Sequence, residues 1–177
     1  VTSVVTVNAL PTVADMTPQT ICSGTAFTAL TPSGTTGATF NWTASATAGT
    51  TSGFTASGSG TIAAQTLTNQ GAVTYIVTPS IGSNPTCIGT AKNFVVTIND
   101  IPTPSITGNS PICKGQKASL TAGGGTSFLW SDNTTTTALF ESPALDVNTT
   151  YSVVVTDGNT CSASVTTEVV VNNCSIV

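Results

Sequence analysis

Five cysteines carry the clearest chemical information in this sequence of 177 residues. They are Cys22, Cys87, Cys113, Cys161 and Cys174, with no Cys-x-x-Cys pair among them, and the chain contains no histidine. Zinc sites are built from closely spaced cysteine and histidine ligands, and this spacing does not supply them. The pattern therefore favours disulfide bonds formed in an oxidising compartment, and it predicts neither a metal site nor a cofactor.

Catalytic chemistry has little support in the residue types. A hydrolytic nucleophile needs a neighbouring base, most often histidine, and the sequence has none. A pair of carboxylates can hydrolyse glycosides, and the candidates for such a pair are Asp132, Glu141, Asp146 and Asp157. These acids are scattered through expected turns and exposed strand faces, where solvated carboxylates are common. The sequence therefore predicts that the chain is not an enzyme.

Two short segments contain oxygen ligands of the kind that calcium binds, Asp132-Asn133 and Asp157-Gly158-Asn159. Calcium takes six or more oxygen ligands, usually with several carboxylates among them. Neither segment forms a dense acidic loop, so ordinary turn formation is the better interpretation of both.

The overall composition excludes two classes of partner. Three lysines against seven acidic residues give a net charge of −4, which does not suit a nucleic-acid-binding surface. No apolar run approaches the roughly 20 residues that span a bilayer, so we expect no membrane insertion. The first residues lack the pattern of a signal peptide, and we expect any export signal to lie upstream or to have been removed. With 38 threonines and many valines, the composition predicts an all-β protein.

A repeated segment divides the chain into modules. Val-Val-Thr-Val-Asn-Ala-Leu-Pro-Thr at 4–12 recurs as Val-Val-Thr-Ile-Asn-Asp-Ile-Pro-Thr at 95–103, and a shorter version, Val-Val-Val-Asn-Asn, occupies 169–173. A strand followed by a proline linker marks the end of one module and the start of the next. The predicted organisation is the last strand of a preceding repeat at 1–8, β-sandwiches at 9–100 and 101–173, and the start of a C-terminal junction at 174–177.

Alternating apolar residues predict short strands in both modules. In the first module they are expected at 26–30, 39–43, 62–67, 72–78 and 90–98; in the second, at 117–122, 127–130, 138–141, 151–156 and 161–171. This number of strands, separated by turn signals, indicates an immunoglobulin-like β-sandwich. Trp42 and Trp130 are expected to be core aromatics, with a sugar-stacking platform as the alternative. Phe54, in a Gly/Ser-rich segment, is the best candidate for an exposed aromatic.

The motifs also resemble known repeats. In the first module Ile-Cys-Ser-Gly-Thr, Asn-Trp-Thr, Thr-Tyr-Ile-Val-Thr-Pro and Asn-Pro-Thr-Cys resemble a PKD-like repeat. In the second, Ile-Cys-Lys-Gly-Gln, Leu-Thr-Ala-Gly-Gly-Gly, Ser-Phe-Leu-Trp-Ser and Val-Thr-Asp-Gly-Asn-Thr-Cys resemble a related short Ig-like repeat. Such repeats occur in large adhesins and multi-domain enzymes of Bacteroidota. The resemblance implies tandem β-sandwich domains in a linear array, secreted to the cell surface. The C-terminal Val-Asn-Asn-Cys-Ser-Ile-Val resembles the junction before a type IX secretion sorting domain.

The disulfide pairing can be predicted from the expected strand positions. Cys22 and Cys113 are expected just before the second strand of each module, whereas Cys87 and Cys161 precede the last. Those positions lie at opposite poles, about 24 Å apart for a seven-residue strand, while a disulfide tolerates about 7 Å between Cα atoms. We therefore expect Cys22–Cys161 and Cys113–Cys174 bonds, with Cys87 bonded to an upstream repeat. The alternative, from the Ig-like order of Cys, Trp and Cys, is Cys22–Cys87 with Cys113–Cys161.

Taken together, these features predict a structural protein: a rigid, disulfide-stapled spacer in an extracellular stalk, adhesin or filament. The alternatives are a module that binds glycan or another surface polymer, and an accessory linker in a secreted multi-domain enzyme. A third alternative is a fibre in which residues 1–8 complete the sheet of a neighbouring chain. The expected partners are neighbouring repeats of the same protein, with surface polysaccharide and other cell-surface proteins as further candidates.

Overall fold

A computed structural model describes residues 9–82 and 86–174 of the chain. The chain divides into two compact units, with the boundary between Asp100 and Ile101. Every regular element in the described residues is a β-strand, as expected for a sequence rich in threonine and valine. The all-β fold class is therefore confirmed. The strand predicted at 1–8 lies outside the described residues, as do positions 175–177 of the predicted C-terminal junction.

Eight strands lie in the described part of the first unit. They are β1 (Gln19–Cys22), β2 (Thr25–Ala26), β3 (Thr39–Gly49), β4 (Ser57–Ser59), β5 (Thr66–Leu67), β6 (Gly71–Ile81), β7 (Cys87–Ile88) and β8 (Lys92–Asn99). The larger sheet has the order β1-β8-β6-β3-β4, with β7 also paired to β6, and β2 pairs with β5 in a smaller sheet. Most pairs are antiparallel, but β1 runs parallel to β8. The first and last strands of this unit are therefore neighbours.

The core of the first unit follows from alternation along β6 and β8. Every second residue of each strand faces inward, because side chains in a strand alternate between faces. The buried set includes Val73, Tyr75 and Val77 from β6 and Phe94, Val96 and Ile98 from β8, all at most 1% exposed. Phe27 contacts both aromatic rings, with ring centroids 5.7 Å from Tyr75 and 5.9 Å from Phe94. These aromatics fill the space between the sheets.

Eight strands also lie in residues 101–174 of the second unit. They are β9 (Ser105–Gly108), β10 (Ile112–Cys113), β11 (Gln116–Gly123), β12 (Ser127–Trp130), β13 (Leu139–Leu145), β14 (Thr149–Thr156), β15 (Ser162–Val169) and β16 (Val171–Asn172). One sheet has the order β13-β11-β9 and the other β12-β14-β15, while β10 pairs with β16 in parallel. The core contains a stack of three aromatics, with Phe140 between Trp130 (5.0 Å) and Tyr151 (4.9 Å).

Several predicted strands differ from the observed ones in extent. The strand expected at 39–43 continues to Gly49, and the one expected at 138–141 begins at Leu139 and continues to Leu145. The strand expected at 26–30 is wrong in extent, since only Thr25–Ala26 forms a ladder. At Thr28 the side chain of Gln19 replaces a neighbouring strand: its amide oxygen accepts from Thr28 N at 2.8 Å, and its Nε2 donates to Thr28 O at 2.9 Å.

Candidate functional site

The structure brings two of the five cysteines together within the second unit. Cys113 and Cys174 form a disulfide, with their Cα atoms 5.4 Å apart. Cys22 is disulfide-bonded, and so is Cys161. Cys87 is a free, half-buried cysteine. The alternative pairing of Cys113 with Cys161, and of Cys22 with Cys87, is therefore wrong.

The Cys113–Cys174 bond continues a parallel strand pairing. Cys113 ends β10 and lies opposite Asn172, the last residue of β16. Backbone hydrogen bonds hold this pairing on both sides of Cys113: Ile112 N donates to Val170 O at 2.9 Å, and Lys114 N donates to Asn172 O at 2.9 Å. The disulfide then links the two segments just beyond the last of these bonds. The disulfide therefore links the early strand β10 covalently to the C-terminal end of the unit.

The sequence placed Cys113 and Cys22 in the turn before the second strand, and the structure corrects this. Each cysteine ends a short strand that runs parallel to the last strand of its unit. Cys22 lies opposite Asn99, as Cys113 lies opposite Asn172. Sequence reasoning missed both pairings, although the repeated Ile-Cys-x-Gly at 21–24 and 112–115 was a usable signal. The cysteines mark the same place in both units.

Cys161 is held by a turn that its own backbone helps to close. The Asp157 carboxylate oxygen Oδ1 accepts hydrogen bonds from Asn159 N at 2.8 Å and from Cys161 N at 2.9 Å. Asp157 N in turn donates to Cys161 O at 2.9 Å. The Cys161 side chain is only 1% exposed. This explains the Asp-Gly-Asn segment as turn chemistry that positions a disulfide cysteine.

Asp132 also organises a turn. Thr135 donates to its carboxylate from the hydroxyl at 2.6 Å and from the backbone N–H at 2.9 Å, and Thr134 donates from the same two groups at 2.9 and 3.1 Å. These hydrogen bonds, with that of the Thr135 hydroxyl the largest, lower the pKa of Asp132 below its ordinary value. The carboxylate is thus occupied by its own turn. Within the described residues there is no group of three or more acidic, cysteine or histidine side chains that could hold a metal.

The two tryptophans lie in the two cores. Trp130 is 1% exposed, and its Nε1 donates to Thr137 O at 3.0 Å. Trp42 is 6% exposed, and its Nε1 has no hydrogen-bond partner in the described part of the chain. Gly58 packs against this indole ring so closely that an added Cβ would overlap it. Neither ring is available as a sugar-stacking surface.

Phe54 is not the exposed aromatic that the sequence suggested. It is partly buried and packs against the core of the first unit. All ten aromatic residues fall in the described ranges, and each of them is buried or partly buried. Sugar-binding sites commonly rely on exposed aromatic rings, and these two units present none in the described structure.

A depression of about 310 Å³ on the surface of the first unit is lined by residues that include Asp15, Met16, Gln19 and Leu30. Its one amide side chain, Gln19, already makes two hydrogen bonds to Thr28. A binding site needs polar groups that converge on a ligand and are free to bind it. The depression is therefore a surface feature formed by the segment that precedes β1.

The fold defines the class: immunoglobulin-like β-sandwich units, the second of which is closed by a disulfide. Residues 19–102 match the family of PKD-like domains, which supports the assignment of the first unit as a PKD-like Ig domain. The described part of the chain contains no helix long and apolar enough to cross a membrane.

Several solved structures are similar to this chain at low identity. An amphioxus IgVJ-C2 molecule is 12% identical, with 85% of this chain and 99% of that chain covered and a TM-score of 0.36. The I67–I69 fragment of the titin I-band is 15% identical, covering 93% and 66%, with a TM-score of 0.40. The SGBP-B protein of a Bacteroides ovatus mixed-linkage glucan utilization locus, solved with a heptasaccharide, is 14% identical, covering 96% and 49%, with a TM-score of 0.37. No curated protein matches the sequence.

Proposed function

We propose that this chain is a non-catalytic spacer in an extracellular stalk, adhesin or filament, and that the Cys113–Cys174 disulfide keeps the second unit closed under tension. One observation carries the proposal. The Cys113–Cys174 disulfide joins the early strand β10 to the segment that follows the last strand, β16. Disulfides persist in oxidising compartments, which supports a location outside the cell.

The direction of the strand pairing explains why such a bond suits a spacer. In the first unit β1 and β8 run parallel, with Gln19 to Cys22 opposite Val96 to Asn99. When a chain is pulled from both ends, two parallel terminal strands slide past each other. All the hydrogen bonds between them must then break together rather than one after another. Parallel pairing therefore resists extension in the first unit.

In the second unit the described residues form two such pairs, Ile112 with Val171 and Cys113 with Asn172. Hydrogen bonds alone would give this short pairing little resistance to sliding. The Cys113–Cys174 disulfide lies at the end of the pairing and replaces the missing hydrogen bonds with a covalent link. The 61-residue separation between its cysteines spans most of the unit. The disulfide therefore carries a force that pulls on the ends of the unit, and the strands between the two cysteines do not.

The remaining cysteines extend this proposal to neighbouring repeats. We propose that Cys22 bonds to Cys161 and that Cys87 bonds to a cysteine of a preceding repeat. Cys22 and Cys161 are each disulfide-bonded, which supports the first pairing. Cys87 and Cys161 both stand shortly before the last long strand of their units, β8 and β15. Cys87 and Cys161 therefore hold equivalent positions in consecutive units. Since we propose that Cys161 bonds to Cys22 of the unit before it, Cys87 would bond to the corresponding cysteine of an upstream unit.

Peptide mapping without reduction tests the pairing. Digestion of the full chain should yield a linked Cys22–Cys161 peptide and a linked Cys113–Cys174 peptide, with Cys87 open to alkylation. A Cys22→Ser variant should release the Cys161 thiol and leave the Cys113–Cys174 peptide unchanged. If Cys161 stays linked in that variant, the proposed pairing is wrong.

Glycan binding is the alternative function, and it is separable by experiment. The spacer proposal expects no binding of surface polysaccharides in pull-down or glycan-array assays, because no aromatic ring is exposed in the described residues. Binding that disappears in Phe54→Ala, but not in a variant of the fully buried Phe27, would replace the spacer function with a binding function.

A further inference from the structure

The last long strand of the second unit, β15, has one unpaired edge. Its eight residues, Ser162–Val169, pair on one side with β14 over their full length. Among the described residues no other strand pairs with β15. A strand edge of this length exposes N–H and C=O groups that can pair with another chain.

The register shows which residues face the open edge. Asp157 and Cys161 extend the register of β14 and β15 by one pair, and Asp157 N donates to Cys161 O. These two residues are therefore a hydrogen-bonded pair of the ladder. Such pairs alternate with non-hydrogen-bonded ones in antiparallel ladders. The odd-numbered residues of β15 therefore bond to β14, while the even-numbered ones direct their backbone groups away from it. The outward set consists of Ser162, Ser164, Thr166 and Glu168.

Two other contacts support this assignment. On the far side of β14, Ser131 N donates to Ser152 O, so the even residues of β14 bond to the segment after β12 and not to β15. Val170 follows β15 and is even-numbered, so its backbone groups should also point away from β14. Its N–H donates to Ser110 Oγ at 3.1 Å, and its C=O accepts from Ile112 N at 2.9 Å. Coverage of the edge thus begins at Val170.

The open edge lacks the features by which proteins protect exposed strands. Edges are commonly protected by proline, lysine, a bulge or a short length. The edge strand β13 contains Pro143 and pairs through an irregular register, and β12 has only four residues. In β15 the only charged residue is Glu168, at its far end.

We propose that β15 pairs with the same strand of a second copy of this chain, antiparallel and about a two-fold axis at Val165. This register places Ser164 opposite Thr166 of the partner and Ser162 opposite Glu168 of the partner. No two like charges face each other, which would otherwise disfavour the pair. The outward backbone groups exchange about eight hydrogen bonds. The two three-stranded sheets then form one continuous sheet with a self-complementary interface.

Sedimentation equilibrium on the full chain tests this, with Cys87→Ser present throughout so that no covalent dimer forms through the free thiol. The mass should rise from 17.6 kDa towards twice that value as concentration increases from about 10 μM to about 1 mM, the range of weak interfaces. A mass that stays at one chain over the whole range would overturn the proposal.

Proline substitutions locate the interface. Ser164→Pro removes an N–H that faces the open edge, a position where strands tolerate proline, so the variant should fold and remain monomeric. Val165→Pro removes a hydrogen bond to β14 and should unfold the second unit. The alternative contact is the outer face of the sheet, where Leu129 and Val154 are 42% and 41% exposed. A dimer that survives Ser164→Pro but is lost in Leu129→Ser would contradict edge pairing.

Amide hydrogen exchange provides a readout that does not depend on substitutions. The N–H groups of Val165 and Thr167 should be protected at every concentration, because they bond to β14. Those of Ser164 and Thr166 should exchange freely in dilute protein and slow by about tenfold once about nine-tenths of the chain is dimeric. Free exchange of the even-numbered amides in a confirmed dimer would place the interface elsewhere.

Discussion

Removal of the Cys113–Cys174 disulfide should destabilise the second unit by an amount that its loop length sets. The bond closes a loop with a sequence separation of 61 residues. In the chain-entropy model, closing a loop of this length lowers the entropy of the unfolded chain enough to stabilise the fold by about 4 kcal/mol at 25 °C. We therefore expect the double variant Cys113→Ala/Cys174→Ala to lose about 4 kcal/mol in the free energy of unfolding of this unit.

Hydrogen exchange read peptide by peptide is the suitable assay, because it separates the stabilities of the two units in one molecule. Protection in β11 and β14 should fall in the double variant, while protection in β6 and β8 should not change. Cys87→Ser is the matched control, since that thiol is free and its replacement closes or opens no loop. A loss below about 1 kcal/mol would refute the reasoning, because it would mean that the short β10–β16 pairing holds the unit ends without the disulfide.

Four further substitutions test the packing and the turns. Trp42→Ala and Trp130→Ala should each cost about 3–5 kcal/mol by urea denaturation, as for other buried aromatics. Gly58→Ala should cost about 1–3 kcal/mol in the same assay, because the added methyl group overlaps the Trp42 ring. Because hydrogen bonds lower the pKa of Asp132 below 3.8 in the folded chain, their stabilisation is present above that pH and is lost as the pH falls below it. In acid titrations followed by circular dichroism, Asp132→Asn should weaken this dependence.

For these predictions, the following results would be contradictory. Tolerance of Trp130→Ala would mean that the stack of three aromatics does not hold the second core. Ser57→Ala is the control for Gly58→Ala, because Ser57 is exposed in the same strand and its variant should change stability by under about 0.5 kcal/mol. An acid transition that is the same in Asp132→Asn and in the parent would show that other carboxylates determine it.

The sequence predicted the long strands well, because their pattern is local. Alternation of Val165, Thr167 and Val169 with polar residues identified β15, and β12 has the predicted limits. The short strands β1 and β10 could not be read in the same way, since their residues show no alternation of apolar and polar side chains. Their existence depends on pairing with residues far along the chain, which a local pattern does not contain.

The candidate site was only partly accessible from the sequence. Cysteine order and strand length indicated that Cys113 pairs near the end of its own unit, although the argument placed it in a turn and not in a strand. Phe54 was misjudged because glycine and serine around it suggested an exposed loop, whereas its ring packs on the first core. The open edge of β15 requires hydrogen-bond parity, which only the register reveals.

Force spectroscopy on the full chain, pulled from its two ends, tests the spacer function most directly. With the proposed Cys22–Cys161 bond closed, about 140 residues cannot extend, and these correspond to about 480 Å of contour length. We predict that the oxidised chain extends by this much less than the reduced chain, and that adding a reductant restores the full extension. In a Cys22→Ser variant the Cys113–Cys174 bond carries the tension instead, and it withholds the 61-residue separation between its cysteines. If the oxidised and reduced chains release the same length, the disulfides do not carry tension, and the spacer account is contradicted.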